Sequence, residues 1–299
     1  DAGADFPLII VPLRAGDMYS PLPSVYLEQR REAFEFGLEI MAKLARKVVV
    51  AAPEDEVSGL SSIQHHITHM TGNRFPAGEP GVILYQIRTS SSDNAACYIE
   101  GQHLCDMGEL FLTGELPFLR VYSVAGKVQR GPVHILGRQG SPVRHLTGPV
   151  QNGTCVITGG VFNGSRPAAD AHMGLFDSSA AVFPEPETEE VLGFIRPGPN
   201  KASESGTFVS RFKKIPLFTD TTLHGEERAC VNCGLCEKKC PVDLFPHFLM
   251  KAALAGEMEE VVAMGLLDCT GCGLCTFVCP SKIELSDPFR SAKLSYYKE

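Results

Sequence analysis

Two copies of one cysteine pattern constrain this chain more than any other feature of its sequence. The pattern Cys-x-x-Cys-Gly-Leu-Cys-x-x-x-Cys-Pro spans residues 230–241 and recurs at residues 269–280. Eight of the 11 cysteines lie in these two runs. A secreted disulfide scaffold is normally short and rich in cysteine throughout, unlike this chain of 299 residues. The pattern therefore predicts a reducing compartment and cysteines that bind metal.

The spacing within each copy is typical of ligands to an iron–sulfur cluster. Three thiolates separated by two residues each can wrap a cubane cluster, and the glycine after the second cysteine lets backbone N–H groups approach its sulfurs. In the bacterial two-cluster pattern, the fourth cysteine of each run binds the other cluster. Carried over to this chain, that pattern predicts two [4Fe-4S] clusters with crossed ligands. The first set is Cys230, Cys233, Cys236 and Cys279, and the second is Cys269, Cys272, Cys275 and Cys240.

Two other interpretations of the cysteines are weaker. Zinc ribbons and fingers typically pair two Cys-x-x-Cys units across a gap, whereas a compact run of four cysteines followed by proline is the ferredoxin arrangement. Free thiols at this density would react with solvent unless a metal held them. Two clusters with crossed ligands would transfer single electrons, so the unit needs a donor and an acceptor outside the cysteine motif.

Charge and hydropathy exclude several classes of partner. Lys and Arg number 27 against 35 Asp and Glu, which gives a net charge of −8 and disfavours binding to nucleic acid or anionic lipid. The sequence has no apolar run of about 18 residues and no signal-peptide pattern, so contact with a membrane is expected through partners. The chain starts at Asp1 and opens directly on a strand-like run, which we interpret as part of a longer product.

The order of apolar and turn-forming residues predicts a multidomain α+β protein. Residues 1–115 alternate strand-like with helical patterns and are expected to form an α/β domain, with strands at 8–11, 47–51 and 82–87 and helices at 25–46 and 95–112. Residues 116–195 are dense in Gly, Pro, Val and Thr, which favours a small, mainly β domain. Residues 196–229 are expected to link it to a helical domain at 230–299, with two short helices between the cysteine runs.

Other candidate sites are less specific. His65, His66 and His69 are suggestive of a metal site, but without a carboxylate partner they are more typical of a polar surface. The glycines of Thr-Gly-Gly-Val-Phe-Asn-Gly at 158–164 resemble a phosphate-binding loop, although turns explain them better because no clear strand and helix flank them. The three remaining cysteines are expected to be small buried hydrophobic residues: Cys97, Cys105 and Cys155.

Several stretches in this order resemble the A subunit of the sodium-translocating NADH:quinone reductase and, more distantly, the C subunit of the Rnf electron-transport complex. They are Leu-Phe-Leu-Thr-Gly-Glu-Leu at 110–116, Arg-Val-Tyr-Ser-Val-Ala-Gly at 120–126, Thr-Leu-His-Gly-Glu at 222–226 and Leu-Cys-Thr-Phe-Val-Cys-Pro at 274–280. The resemblance implies a Rossmann-like domain, a β-grasp domain of the soluble-ligand-binding type and a helical two-cluster ferredoxin domain.

The chain also departs from the families that it resembles in two ways. The sodium-pump subunit generally lacks the full cysteine set and carries no clusters, whereas the Rnf-type subunit has both sets, as this chain does. The N-terminal part of the family is missing here, including the Gly-rich loop for flavin and NADH. Binding of FMN or NADH by this chain alone is therefore disfavoured, and sodium transport is not attributable to a chain without membrane spans.

Together the cysteines and the resemblance predict an electron-transfer subunit of a membrane-associated NADH:quinone or ferredoxin/NAD oxidoreductase complex. The expected position is peripheral, on the cytoplasmic side of the cell inner membrane. The expected partners are the other subunits and a quinone or a ferredoxin-type redox partner, without nucleic acid. Two alternatives stay open at this point: a flavin- and NADH-binding dehydrogenase module, and an assembly subunit in which the metal is structural.

Overall fold

The computed structural model describes residues 6–14, 17–126, 133–185, 192–201, 206, 208–213, 220–221 and 225–298. These residues form two compact units. One lies within residues 1–150 and 156–182, and the other lies within residues 151–155 and 183–299. The fold is mixed, with helices and two four-stranded sheets.

The first sheet is parallel and has the order β3-β2-β1-β4. Its two longer strands are apolar almost throughout and pair in register, with Ile10 opposite Val49. Such runs are typical of strands that are covered on both faces. The strands are β1 (Phe6–Pro12), β2 (Ala45–Pro53), β3 (His69–Thr71) and β4 (Cys97–Tyr98).

Helices cover both faces of this sheet, and the alternation of side chains along β1 decides which helix each residue meets. Leu8 and Ile10 pack with Ile83 on one face. Ile9 and Val11 belong to the larger core on the other face, together with residues of α2 and α4. The helices are α1 (Pro23–Leu27), α2 (Arg31–Leu44), α3 (Pro80–Ile87) and α4 (Gly101–Thr113).

One predicted strand is wrong. Residues 82–87 belong to the helix α3, which begins at Pro80 and buries Val82 and Ile83. A short apolar run suits either a strand or a buried helix, but proline is favoured at the first position of a helix. Two helix boundaries also differ: residues 25–46 divide into α1 and α2, and residues 95–100 precede α4 as the end of a 3-10 turn and the strand β4.

The second sheet follows in the order β6-β5-β8-β7, with β5 antiparallel to β6 and parallel to β8. Its core includes Tyr122, Val124, Val143, Leu146 and Met173. The strands are β5 (Leu119–Gly126), β6 (Val133–Arg138), β7 (Thr154–Thr158) and β8 (Ser179–Pro184), and the helix α5 (Val143–Thr147) lies between β6 and β7 in sequence.

The predicted linking segment at 196–229 is described only in part. Its described residues include a 3-10 turn at Val209–Phe212. Residues 202–205, 207, 214–219 and 222–224 lie outside the described residues, and so do Thr222, Leu223 and His224 of the family-like stretch. Residues 127–132 and 186–191 of the predicted β domain also lie outside them.

The C-terminal region is helical, as predicted. Two of its helices, α7 and α8, lie between the cysteine runs and bury Leu249 and Val261 completely. The five helices are α6 (Leu235–Lys238), α7 (Pro246–Ala255), α8 (Met258–Ala263), α9 (Leu274–Phe277) and α10 (Ser286–Tyr296). Across the described part of the chain, every helix is too short or too polar to cross a lipid bilayer.

Candidate iron–sulfur site

The two cysteine runs fold as two copies of one backbone shape. The second copy starts 39 positions after the first, at Cys269 instead of Cys230. Residues at equivalent positions adopt the same left-handed conformation, which side chains other than glycine rarely adopt. These pairs are Asn232 (φ 52°) with Gly271 (φ 69°), Gly234 (φ 70°) with Gly273 (φ 76°), and Asp243 (φ 53°) with Lys282 (φ 58°).

A short helix in each copy positions the third cysteine. Gly234 and Gly273 stand directly before α6 and α9, so Cys236 and Cys275 fall in the first turn of these helices. The two helices pack against each other. This packing brings the two cysteine runs, which are distant in sequence, close together in the fold.

One cavity collects thiols from both copies. Cys230, Cys233 and Cys236 of the first run line it together with Cys279 of the second run. Cys236 and Cys279 are buried, whereas Cys230 and Cys233 are exposed. Apolar residues also line the cavity: Val231, Pro280, Ile283 and Leu285. Four thiols around one space supply the donor set that a [4Fe-4S] cluster requires.

The remaining four cysteines are linked by their electrostatics. Burial raises the pKa of Cys240, and a charge on Cys269 raises it further. Burial likewise raises the pKa of Cys272 to about 11, with additional contributions from Cys269 and Cys240. For Cys275, burial and the charges of Cys269 and Cys272 raise the pKa to about 12. Cys240 therefore lies within electrostatic range of the second run, and a metal would have to displace the protons of these thiols.

Backbone N–H groups point at several of the sulfurs. The amide of Leu244 donates to the Sγ of Cys240 over 3.4 Å. Backbone hydrogen bonds also lower the thiol pKa of three other cysteines against the larger effect of burial. The donors are the amides of Glu237 and His247 for Cys236, the amide of Leu274 for Cys272, and the amide of Thr276 for Cys275. Such donors stabilise negative charge on sulfur, as a thiolate-bound cluster needs.

Three side chains near the sulfurs were missed by sequence reasoning. The Nδ1 atom of the buried His247 lies 3.9 Å from the Sγ of Cys236. The side-chain hydroxyls of Ser286 and Thr270 lower the thiol pKa of Cys275 and Cys272, respectively, against the larger effect of burial. His247 and Ser286 are separated by the same 39 positions as the two cysteine runs. Extending the internal repeat beyond the prolines would have identified this pair.

The structure also places the other residues that the sequence singled out as candidates. Cys105 and Cys155 are buried and Cys97 is half-buried, in keeping with small hydrophobic residues. At residues 158–164, Thr158 and Ser165 exchange two backbone hydrogen bonds of 2.9 Å, and Gly159 and Gly160 have positive φ, so this segment is a turn. His65 and His66 lie on a 3-10 turn, and His69 begins β3.

Two family models match separate parts of the chain. The model described as "NqrA second alpha/beta domain" matches residues 4–116. The model described as "4Fe-4S dicluster domain" matches residues 229–284, which contain all eight cysteines of the two runs.

Curated relatives resemble most of the chain. Three proteins, each named as the A subunit of the Na(+)-translocating NADH-quinone reductase, come from Pasteurella multocida, Serratia proteamaculans and Vibrio vulnificus. They are 33%, 34% and 31% identical over 283, 278 and 283 residues, which cover 93%, 90% and 93% of this chain. The same alignments cover 64%, 61% and 64% of the relatives, so the chain spans less than two thirds of their length.

Proposed function

Because this chain is homologous to the A subunit of the Na(+)-translocating NADH-quinone reductase and contains a 4Fe-4S dicluster domain, we propose that it is an electron-transfer subunit of a membrane-associated NADH:quinone oxidoreductase complex. The homology confirms the resemblance inferred from the sequence. The more distant resemblance to the Rnf-type subunit stays a prediction.

The observation that carries the proposal is the cavity lined by Cys230, Cys233, Cys236 and Cys279. Its four thiols come from both runs, as the crossed-ligand pattern requires. The proposed second ligand set is Cys269, Cys272, Cys275 and Cys240. In its support, a charge on Cys269 raises the thiol pKa of Cys240, and charges on Cys269 and Cys240 raise the thiol pKa of Cys272. Clusters bound there would accept and release single electrons.

The side chains around each set serve to hold and insulate the thiolates. Leu285 and Ile283 are buried and form an apolar part of the wall of the first cavity. The amides of Leu244, Leu274 and Thr276 direct hydrogen bonds to sulfurs of the second set. Cys230 and Cys233 are exposed, whereas every cysteine of the second set is buried or half-buried. This difference favours the first set as the one that exchanges electrons with a partner.

The proposed assembly follows from the names of the relatives, each of which is a subunit of a quinone reductase. We place this chain with other subunits of such a complex, peripherally and on the cytoplasmic side of the inner membrane. The proposed redox partners are a quinone or a ferredoxin-type protein.

Anaerobic metal analysis of the full chain tests the proposal. We expect about eight iron atoms and eight acid-labile sulfides per chain, and spin-coupled EPR signals after reduction with dithionite. The variant Cys155→Ser is a matched control because Cys155 is buried and belongs to neither run; it should keep the full iron content. Zinc in place of iron, in a chain that folds normally, would overturn the electron-transfer function and leave a structural metal.

A further inference from the structure

Two histidines and a glutamate converge on the surface of the first unit, and none of them belongs to the cysteine runs. Glu35 lies on α2, and His65 and His66 lie on the 3-10 turn Gln64–His66. One potential ligand atom from each of the three side chains lies within 4.8 Å of the others. The sequence showed the histidines without a carboxylate, and the fold supplies one from 30 positions earlier in the chain.

The backbone that carries these side chains is anchored in the core. Phe34, next to Glu35, and Ile63, just before the 3-10 turn, are both fully buried in the same hydrophobic cluster. The ring of Phe34 also meets the ring of His66 edge-on, with centroids 6.4 Å apart. Because buried neighbours fix the backbone of both elements, little backbone entropy is lost when the three side chains bind a common ligand.

The contacts within the group leave ligand atoms available. The Nε2 atom of His66 is 3.7 Å from an Oε1 atom of Glu35, which is longer than a hydrogen bond. The rings of His65 and His66 lie side by side with centroids 4.0 Å apart. Arg31 donates a 2.8 Å hydrogen bond to the same carboxylate. Metal-binding carboxylates are commonly oriented by such a partner.

We propose that Glu35, His65 and His66 form a binding site for a divalent transition-metal ion of the zinc type. Two imidazoles and one carboxylate are a ligand set that zinc accepts, and three protein ligands leave a fourth position for water or a small ligand. Mg²⁺ and Ca²⁺ are disfavoured because they prefer oxygen ligands. The site is independent of the proposed electron-transfer function and does not involve the cysteines.

Titration of Zn²⁺ into the anaerobically purified full chain, followed by calorimetry, tests the proposal. We expect a binding event that Glu35→Gln and His66→Ala each weaken by at least about 10-fold, since even loss of a residue that only orients a ligand costs about 10–100-fold. Two exposed residues provide matched controls: Glu39→Gln on the same helix and His145→Ala elsewhere. Both should bind Zn²⁺ as the unmodified chain does.

X-ray absorption at the zinc edge separates this site from the cysteines. Nitrogen and oxygen ligands give distances of about 2.0–2.1 Å, whereas thiolates give about 2.3 Å. A shell of nitrogen and oxygen that disappears in Glu35→Gln supports the site. A shell of sulfur alone, or affinity unchanged in both Glu35→Gln and His66→Ala, would overturn it. Circular dichroism of each variant identifies any loss of folding.

Discussion

The Nδ1 atom of His247 lies 3.9 Å from the Sγ of Cys236, and the equivalent position in the second copy is occupied by Ser286, whose hydroxyl lowers the thiol pKa of Cys275 against the larger effect of burial. The two copies therefore share a backbone but offer different donors to equivalent thiols. Hydrogen bonds to sulfur set the potential of a bound cluster. The two proposed clusters should consequently differ in potential.

Replacing His247 tests this difference. We expect His247→Phe to lower the reduction potential of the cluster bound by the first set, because the extra negative charge of the reduced state loses a donor. His247→Asn places an amide near the position of Nδ1 and should restore much of the potential. EPR-monitored redox titration measures both variants. Equal potentials for the unmodified chain and His247→Phe would contradict a tuning role.

Crossed ligands predict that replacing the fourth cysteine of one run removes the cluster bound by the first three cysteines of the other run. Cys279→Ser and Cys240→Ser should each remove about four of the eight iron atoms, since each deletes one ligand of one cluster. Combination with His247→Phe identifies which cluster is left. The potential shift should persist beside Cys240→Ser and vanish beside Cys279→Ser. The opposite result would show that each run binds its own cluster.

A buried ion pair is expected to stabilise the first unit. Arg120 of β5 has a side chain that is 1% exposed, and its Nη2 atom lies 2.8 Å from an Oδ2 atom of Asp106 on α4. Arg30 binds the other carboxylate oxygen over 2.7 Å. Asp106→Asn leaves the buried Arg120 without its charge partner and removes one of the two carboxylates that pair with Arg30, so it should reduce the free energy of unfolding by about 3–5 kcal/mol.

Thermal unfolding monitored by circular dichroism measures this loss, with Glu109→Gln as the control. Glu109 also pairs with Arg30, but its side chain is 40% exposed. An exposed pair contributes at most about 1 kcal/mol. Similar losses in both variants would mean that burial of the Arg120 pair is unimportant.

Glu79 predicts a pH dependence of stability. Burial raises the pKa of this carboxyl from 4.5 to about 7, and the charges of Glu100 and Asp17 contribute in the same direction. The folded state therefore keeps a proton that the unfolded state has lost, and stability falls as pH rises from about 4.5 to about 7. Above that range this group adds no further change.

The variant Glu79→Gln should remove this contribution, which is at most about 3 kcal/mol. Its unfolding temperature should exceed that of the unmodified chain more at pH 8 than at pH 5. Loss of a helix cap does not complicate the comparison, because the side chain of Glu79 makes no cap hydrogen bond to α3. The exposed Glu39→Gln supplies the reference. A constant difference across this range would place the pKa of Glu79 near its ordinary value.

Local sequence patterns predicted the strands and turns that depend on residues close together in the chain. The apolar runs around Ile10 and Val49 predicted the paired strands β1 and β2, and the cysteine spacing marked the two short turns that carry Cys236 and Cys275. The run at 82–87 was misread because hydrophobicity alone does not distinguish a strand from a buried helix.

Contacts between distant residues could not be predicted in the same way. No pattern links Glu35 to His66, since their approach depends on how α2 and the 3-10 turn pack on a shared core. The buried pair of Asp106 and Arg120 likewise joins a helix to a strand of the other sheet. His247 is an intermediate case, because the 39-residue repeat holds the information but the distance to Cys236 requires the fold.

The first cavity takes its fourth thiol, that of Cys279, from the second cysteine run, and this has a consequence for biosynthesis. A ribosome that has released residues 230–236 has supplied three of the four thiols of the first cavity, and the fourth follows only after 43 more residues, at Cys279. Any nascent chain that stops before this point leaves that cavity incomplete. Maturation of the cavity thus reports that translation has passed Cys279.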